Sequence, residues 1–414
     1  MENFKQLIKP FEKIINTITL AGGRFIFVGG CVRDVFLNIS PKDVDAEVYG
    51  IPLEEVKQAL ELVDIVSQVG KQFGVLKLKN YPIDISLPRF ETKTGPGHKG
   101  FSIKVDYSIS FKQAAKRRDL TINAIGFDPI KNEILDPYNG VSDIYKGILR
   151  EVDPHTFIED PLRGLRVAQF SSRFLMDPHK SLIDLCKTLN LHELPVERTF
   201  GEVKKLLLLG QKPSKGMSFL KETGLLKQLS STLDQLNCAS WDYSLEALDR
   251  AVSLRPRDEE KSSVLMITLL CSLLSHDEAQ TILKTCPIKE KQKEQIFILL
   301  EKSHRLFENR KVADSANLFW MGYRLHKKNL CWHDLLLLLK IFTDHAPWVI
   351  ELSKQVLASG AAHPKNLKPV VGGDHLIKKG LRPGKEFNDI LKKCLKIQYE
   401  QRITDPDKIL EKIL

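Results

Sequence analysis

Val28-Gly29-Gly30-Cys31-Val32-Arg33-Asp34 and, a few residues on, Lys42-Asp43-Val44-Asp45-Ala46-Glu47-Val48 decide the reading of this 414-residue chain. The first stretch follows a β-type run over 24–28 and opens a helix. Its two glycines let backbone approach a phosphate closely, and the helix start offers free N–H groups. Arg33 adds a fork of donors for phosphate oxygens. A tight strand–helix turn with a surface Arg–Asp pair is the plainer reading of the same residues. The second stretch reads as a strand, in which side chains two apart share a face, so Asp43 and Asp45 point together. Glu47 continues that face, and Asp84 on a later strand can join it. Paired carboxylates repel one another, and hard Mg²⁺, with substrate phosphates completing its shell, fits between them. A polar edge strand explains a lone Asp-x-Asp equally well. Glycine turn, helix and Asp-x-Asp strand in close succession are the layout that metal-dependent nucleotidyl transfer needs.

Outward from this centre, apolar residues from Phe4 to Ile18 recur at helical spacing, with a break at Pro10. Strand-type runs occupy 24–28, 44–49, 75–78 and 83–87, with a helix predicted over 52–62 that has Pro at its first turn. Strands alternating with helices over the first 140 residues indicate an α/β or α+β domain. From about Asp143 strand signals nearly vanish, and leucine-rich helical periods run to the end.

Composition bounds the rest. Hydrophobic residues make up 43% and charged residues 28%, which are globular values. The length accommodates roughly two to four domains. Sixty-two Lys and Arg against 52 Asp and Glu leave a net charge of +10, which suits a polyanionic partner as well as a merely basic protein. The seven cysteines are scattered without a CxxC pair, which favours a reducing compartment over a disulfide framework. The N-terminus leads into no signal-peptide core. The longest apolar stretch, 264–274, is too short to span a membrane. A cytoplasmic protein with no membrane partner is expected.

Two further motifs carry candidate chemistry. Lys116-Arg117-Arg118-Asp119-Leu120-Thr121-Ile122-Asn123 sets three cations beside an Asp and an Asn. Arg118 is suited to a triphosphate, and Asp119 and Asn123 to orienting a sugar or the loop itself. A basic helix start held by local hydrogen bonds is the alternative. In Glu159-Asp160-Pro161-Leu162-Arg163-Gly164-Leu165-Arg166-Val167-Ala168-Gln169-Phe170, the residues Asp160, Arg163, Arg166 and Gln169 recur every three along one helix side. A solvated Asp160–Arg163 ion pair is one reading. The other is base recognition: a carboxylate accepts from an exocyclic amine and an arginine donates to ring acceptors, which suits C or A and opposes U and G.

Taken in order, GGCVRD (29–34), KDVDAEV (42–48), RRDLTINAIGFD (117–128), LDPYNGVSD (135–143) and EDPLRGLRVAQF (159–170) resemble the class II tRNA nucleotidyltransferases, the CCA-adding enzymes of the poly(A) polymerase superfamily. LPVERTFGEVKKLL (194–207) resembles the family's next motif. The likeness is strong over 25–225 and weak beyond. It implies an α+β, mixed-sheet nucleotidyltransferase head (1–140) followed by all-helical parts: neck helices with a base-selecting motif (141–225), a helical, degenerate HD-like body (226–300) and a tRNA-binding tail (301–414). By motif position, Gly29, Gly30, Arg33 and Arg118 contact nucleotide, with Asp119 and Asn123 beside them. Asp43 and Asp45 are the catalytic, Mg²⁺-binding pair. Asp160 and Arg163 read the base, and Arg166 supports nucleotide binding. The implied reaction is template-independent addition or repair of the tRNA 3′-terminal CCA from CTP and ATP, by attack of the 3′-hydroxyl on the α-phosphate with loss of pyrophosphate, the tRNA being held by its acceptor arm. A-only addition, CC-only addition, poly(A) synthesis and a catalytically weakened RNA-binding relative are the other readings. The sequence sets no oligomeric state.

The segment 89–100 matches the family's flexible loop and is undiminished in length, which favours full CCA addition. Gln169 stands where the family usually has a third neck arginine, a loss that Arg173 would offset. Trp241-Asp242-Tyr243 and Ser275-His276-Asp277-Glu278 faintly resemble an HD phosphohydrolase domain. Tyr243 replaces a metal-binding His, however, and no phosphatase metal site is expected. The segment 371–387 resembles a tail segment of HD-bearing relatives.

Overall fold

The structure, a computed structural model, describes residues 2–69, 74–93, 95, 101–309 and 315–414. The chain divides into two compact units, Met1–Gln235 and Leu236–Leu414.

The first unit opens with α1 (Glu2–Ile8) and α2 (Glu12–Leu20), separated by a 3₁₀ turn at Pro10. Then follow β1 (Arg24–Val28), α3 (Gly30–Phe36), β2 (Val44–Tyr49), α4 (Leu53–Glu61), β3 (Val66–Val69), β4 (Val75–Leu78) and β5 (Ile83–Ser86). The hairpin β6 (Arg89–Lys93) and β7 (Phe101–Val105) leads to α5 (Phe111–Ala115), β8 (Gly126–Asp128) and β9 (Glu133–Leu135). Seven strands form one mixed sheet in the order β3-β4-β5-β2-β1-β8-β9, in which β2 runs parallel to β5 and antiparallel to β1. This is the α+β sheet domain expected from the sequence. One face is closed by Ile14 and Ile18 of α2 against Phe25 and Phe27, all buried. The other carries Ile26, Val28 and Tyr49 under Phe111, Ala114 and Ala115 of α5. That packing lays the segment after α5, residues 116–124, across the end of the β1–β2 pair, where the glycine turn and the acidic strand meet.

Helices take over beyond the sheet: α6 (Gly140–Lys146), α7 (Pro154–Ile158), α8 (Leu162–Phe174), α9 (Lys180–Lys187), α10 (Val196–Leu209), α11 (Pro213–Glu222), α12 (Leu225–Leu229) and α13 (Ser231–Asp234), with the short parallel pair β10 (Ile148–Leu149) and β11 (Asp177–Pro178) between them. Helix α8 buries Leu162, Leu165 and Phe170. It comes close to its neighbours through glycine: a Cβ on Gly216 of α11 would lie 2.5 Å from the Ala168 carbonyl oxygen.

The second unit is entirely helical among its described residues: α14 (Cys238–Leu254), α15 (Glu259–Cys271), α16 (His276–Thr285), α17 (Glu290–Asn309), α18 (Ser315–Lys327), α19 (Trp332–Phe342), α20 (Pro347–Ser359), α21 (Gly373–Lys378), α22 (Lys385–Gln401) and α23 (Pro406–Leu410). Ser275 and Glu278 form a capping box that starts α16. The Tyr243 hydroxyl donates to the Phe342 carbonyl, and its ring packs edge-on against Phe342. Among the described residues no group of three His, Cys, Asp or Glu side chains is arranged to hold a metal ion, and no helix is long and apolar enough to cross a membrane.

Candidate active site

Gly29 sits between β1 and α3 at φ +73° and ψ −129°, a conformation reserved for glycine, and its N–H donates to the Ile125 carbonyl. A Cβ there would lie 2.6 Å from Nη1 of Arg118, so the glycine gives the arginine its place. Gly30 is less constrained: its nearest side-chain neighbour would be Arg33 Nη2 at 3.5 Å.

Strand β2 begins at Val44, so Asp43 lies on the bend just before it and Asp45 within it, both exposed at the strand's open end. Asp84 pairs with Asp45 in the β2–β5 register and holds Lys77 at 2.8 Å. Desolvation, then Asp84, Asp43 and Glu47, push the Asp45 carboxyl above its usual value, with Arg118 pulling the other way. A carboxylate crowded by like charges fits a bound cation, which relieves that repulsion.

Glu47 departs from the sequence reading. It is 1% exposed and does not extend the acidic face. Its Oε1 accepts from Arg117 Nη2 at 3.0 Å and from Arg118 Nη2 at 3.1 Å, and its Oε2 accepts from the Tyr49 hydroxyl at 2.6 Å. Burial opposes ionisation, but the two arginines outweigh it and hold Glu47 below the usual carboxylate value. The packed layer over Tyr49 seals this part of the strand, so alternation alone could not separate Asp45 from Glu47.

Arg33 is buried rather than open to a ligand. Its Nε and Nη2 donate to Asp34 Oδ1 at 2.9 and 2.7 Å, and its Nη1 donates to Asn123 Oδ1 at 2.5 Å. Its guanidinium lies over the stacked rings of Phe170 and Phe174, 5.2 and 4.6 Å from their centroids. Asn123 donates through Nδ2 to Asp119 Oδ1 at 2.9 Å, and Arg166 Nε donates to Asp119 Oδ2 at 2.7 Å. Burial again opposes charge on Asp119, but Arg166 and Asn123 prevail and hold it well below the carboxylate range. Thus Arg33, Asp119, Asn123 and Arg166 form one polar network between the sheet and α8.

On the approach to α8, Asp160 Oδ1 accepts from the Leu162 N–H at 3.2 Å and Oδ2 from Arg198 Nη2 of α10 at 3.3 Å. Arg163 is not its ion-pair partner. Its Nη1 and Nη2 donate to the carbonyls of Thr156, at 2.8 Å, and Arg117, at 2.6 Å. Gln169 does not stand on an open face with Arg163 and Arg166: it is 2% exposed, and its buried Nε2 has no hydrogen-bond partner. Its successor along the helix, Arg173, lies over the Phe174 ring.

Glu47, Arg117 and Arg198 were not assigned these contacts from sequence. All three stand inside quoted motifs, but their partners are 38 to 71 residues away in the chain. Residues 94 and 96–100 of the loop over 89–100 lie outside the described residues.

A glycine turn after β1, a carboxylate pair at the start of β2 and a basic segment laid across both therefore meet at one end of the sheet. Residues 25–150 match the Poly A polymerase head domain, and residues 180–236 match the probable RNA and SrmB-binding site of polymerase A. The multifunctional CCA protein of Methylobacillus flagellatus is 39% identical over 221 residues, 51% of each chain. The CCA-adding enzyme of Actinobacillus succinogenes is 34% identical over 255 residues, 60% of this chain and 62% of its own. The chain thus spans between half and two thirds of the length of these relatives. In fold it is similar to the Bacillus stearothermophilus CCA-adding enzyme in complex with CTP, with a TM-score of 0.74, 22% identity and 97% of each chain covered. It is also similar to the Thermotoga maritima CCA-adding enzyme complexed with tRNA (TM-score 0.66, 19% identity, 99% and 95% covered). Residues 25–150 thus carry the match to the Poly A polymerase head, and the chain as a whole is similar in fold to these CCA-adding enzymes.

Proposed function

We propose that this protein adds or repairs the 3′-terminal CCA of tRNA without a nucleic-acid template, using CTP and ATP. The observation that carries the reading is the tether between the two halves of the site. Arg163 donates to the backbone carbonyl of Arg117, the residue before Arg118, and Arg118 lies between the glycine turn and the acidic strand. A base held at α8 and a triphosphate held at β1–β2 therefore share one frame.

In this reading Asp43 and Asp45 hold a divalent cation, Mg²⁺, which when bound supplies charge for the departing pyrophosphate and acidity for the attacking hydroxyl. Arg118 and the backbone at Gly29 and Gly30 hold triphosphate oxygens. Asp160 accepts from the exocyclic amine of C or A, and Arg163 donates to a ring acceptor; U and G present carbonyls to Asp160 and are repelled. Arg33, Asp119, Asn123 and Arg166 act one step back, fixing the residues that touch the nucleotide. The tRNA 3′-hydroxyl attacks the α-phosphate and pyrophosphate leaves. Division into head (1–140), neck (141–225), body (226–300) and tail (301–414), with the tail on tRNA, belongs to the same reading, as does a cytoplasmic location.

The test uses tRNA transcripts lacking CCA, transcripts lacking only the final A, and RNA with no tRNA fold, each with Mg²⁺ and single labelled nucleotides. Restoration of CCA on tRNA alone is expected. Extension of none of them refutes the enzyme reading. Long A-tails on unstructured RNA make it a poly(A) polymerase, and growth by only C or only A makes it a partial-activity relative.

A further inference from the structure

We propose that Glu47 is a positioning residue, which couples the Asp43–Asp45 strand to Arg163 by clamping Arg117 and Arg118. The inference rests on the nucleotidyl-transfer reading above and goes beyond it, since it assigns a role to a carboxylate outside the acidic pair.

The clamp is built from three connections. On one side Glu47 is two residues from Asp45 on the same strand. On the second, its Oε1 takes a hydrogen bond from each of two consecutive arginines, whose side chains are 19% and 16% exposed. On the third, the backbone of Arg117 receives the Nη2 of Arg163, while Arg118 donates its Nη1 to the Asn123 carbonyl at 3.2 Å. Any shift of the Glu47 carboxylate thus moves the Arg118 guanidinium beside Gly29 and the Arg117 carbonyl that aims Arg163.

Stability is a poor reason for such a cluster. Burying a carboxylate and two guanidinium groups carries a desolvation penalty that apolar packing avoids. Two cations on one carboxylate also leave a net positive charge beside the glycine turn, where an anion is to bind. Arg118 keeps a buried Nε donor with no protein partner. Tyr49 holds the second carboxylate oxygen and keeps Glu47 from rotating toward the acidic pair.

The experiment compares wild type, Glu47→Gln and Tyr49→Phe. It measures CTP binding by calorimetry, KM and kcat for CTP and ATP on tRNA lacking CCA, UTP incorporation relative to CTP, and the thermal midpoint. Glu47→Gln keeps the shape and removes the charge. It is expected to raise the CTP dissociation constant and KM about tenfold, to change kcat much less, and to raise UTP incorporation relative to CTP. In an Arg118→Ala background it is expected to add nothing further to the loss of CTP binding. Tyr49→Phe is expected to shift KM in the same direction by less. A folded Glu47→Gln with wild-type CTP binding and base selectivity overturns the proposal, and so does a fully additive loss on top of Arg118→Ala. If Glu47→Gln does not fold, wild-type KM and CTP binding in Tyr49→Phe overturns it. CTP binding needs no turnover, so the clamp is tested even if the wild type extends no RNA, the result that refutes the function reading instead.

Discussion

Asp119→Asn tests the network that joins the sheet to α8. Asn keeps an acceptor for the Leu120 N–H, at 2.8 Å, and for Asn123 Nδ2, but it turns a donor toward Arg166 Nε, which Asp119 Oδ2 now accepts at 2.7 Å. Removing one partner of a fully buried ion pair costs about 3–5 kcal/mol. The Arg166 side chain is 34% exposed against 8% for Asp119, so water recovers part of the loss, and about 2–3 kcal/mol is expected. For a domain of this size that lowers the unfolding midpoint by roughly 4–12 °C. All four tryptophans (Trp241, Trp320, Trp332 and Trp348) lie in the second unit, so intrinsic tryptophan fluorescence does not report on this site. Calorimetry and hydrogen exchange at the Leu120 and Asn123 amides do. The pH dependence has a definite sign. The folded carboxyl is depressed below its unfolded value of about 3.9, so its stabilisation is present at neutral pH and is lost as pH falls through the folded value. Asp119→Asn should therefore show its full deficit near neutrality, and the gap to wild type should close only in strong acid. A midpoint within about 1 °C of wild type at pH 7, with unchanged exchange at both amides, would refute the network.

Asp43→Ala with Asp45→Ala should abolish nucleotide incorporation and leave tRNA binding by gel shift largely intact; retained incorporation removes the metal assignment. Gly29→Ala places a β-carbon against Arg118 in a backbone region closed to alanine. It should cost about 1–3 kcal/mol of stability and raise KM for CTP, whereas Gly30→Ala should leave the thermal midpoint near wild type. Gly216→Ala forces α11 off the Ala168 carbonyl and should destabilise by about 1–3 kcal/mol. Gly201→Ala, with open space around its Cβ, should stabilise α10 by roughly 0.5–1 kcal/mol. Paired thermal melts check both.

The strands at 24–28, 44–49 and 75–78 lie where the short β-type runs put them, because each run is bounded by a glycine or proline signal or by a charged turn. The break at Pro10 and the proline before α4 were legible for the same local reason. Asp43, with its neighbour Asp45, was legible as an exposed pair. Glu47 was not: a two-residue period says which face a side chain takes, and it cannot say how deep under α5 that face runs. Asp160 and Arg163 illustrate the same limit. Their spacing allowed an ion pair along one helix, but α8 starts only at Leu162, and Arg198 arrives from another helix to take the carboxylate.

Sequence alone therefore determined the order of chemistry along the chain: a glycine turn, an acidic strand, a basic segment and an arginine-bearing helix, each set by contacts among near neighbours. Tertiary structure decided which of those charges are free and which are spent. Arg33, Glu47 and Asp119 are absorbed into buried networks, whereas Asp43 and Asp45 stay exposed. Burial is a property of what packs above a residue, and a carboxylate's partner is set by the fold that closes segments far apart in sequence onto one another.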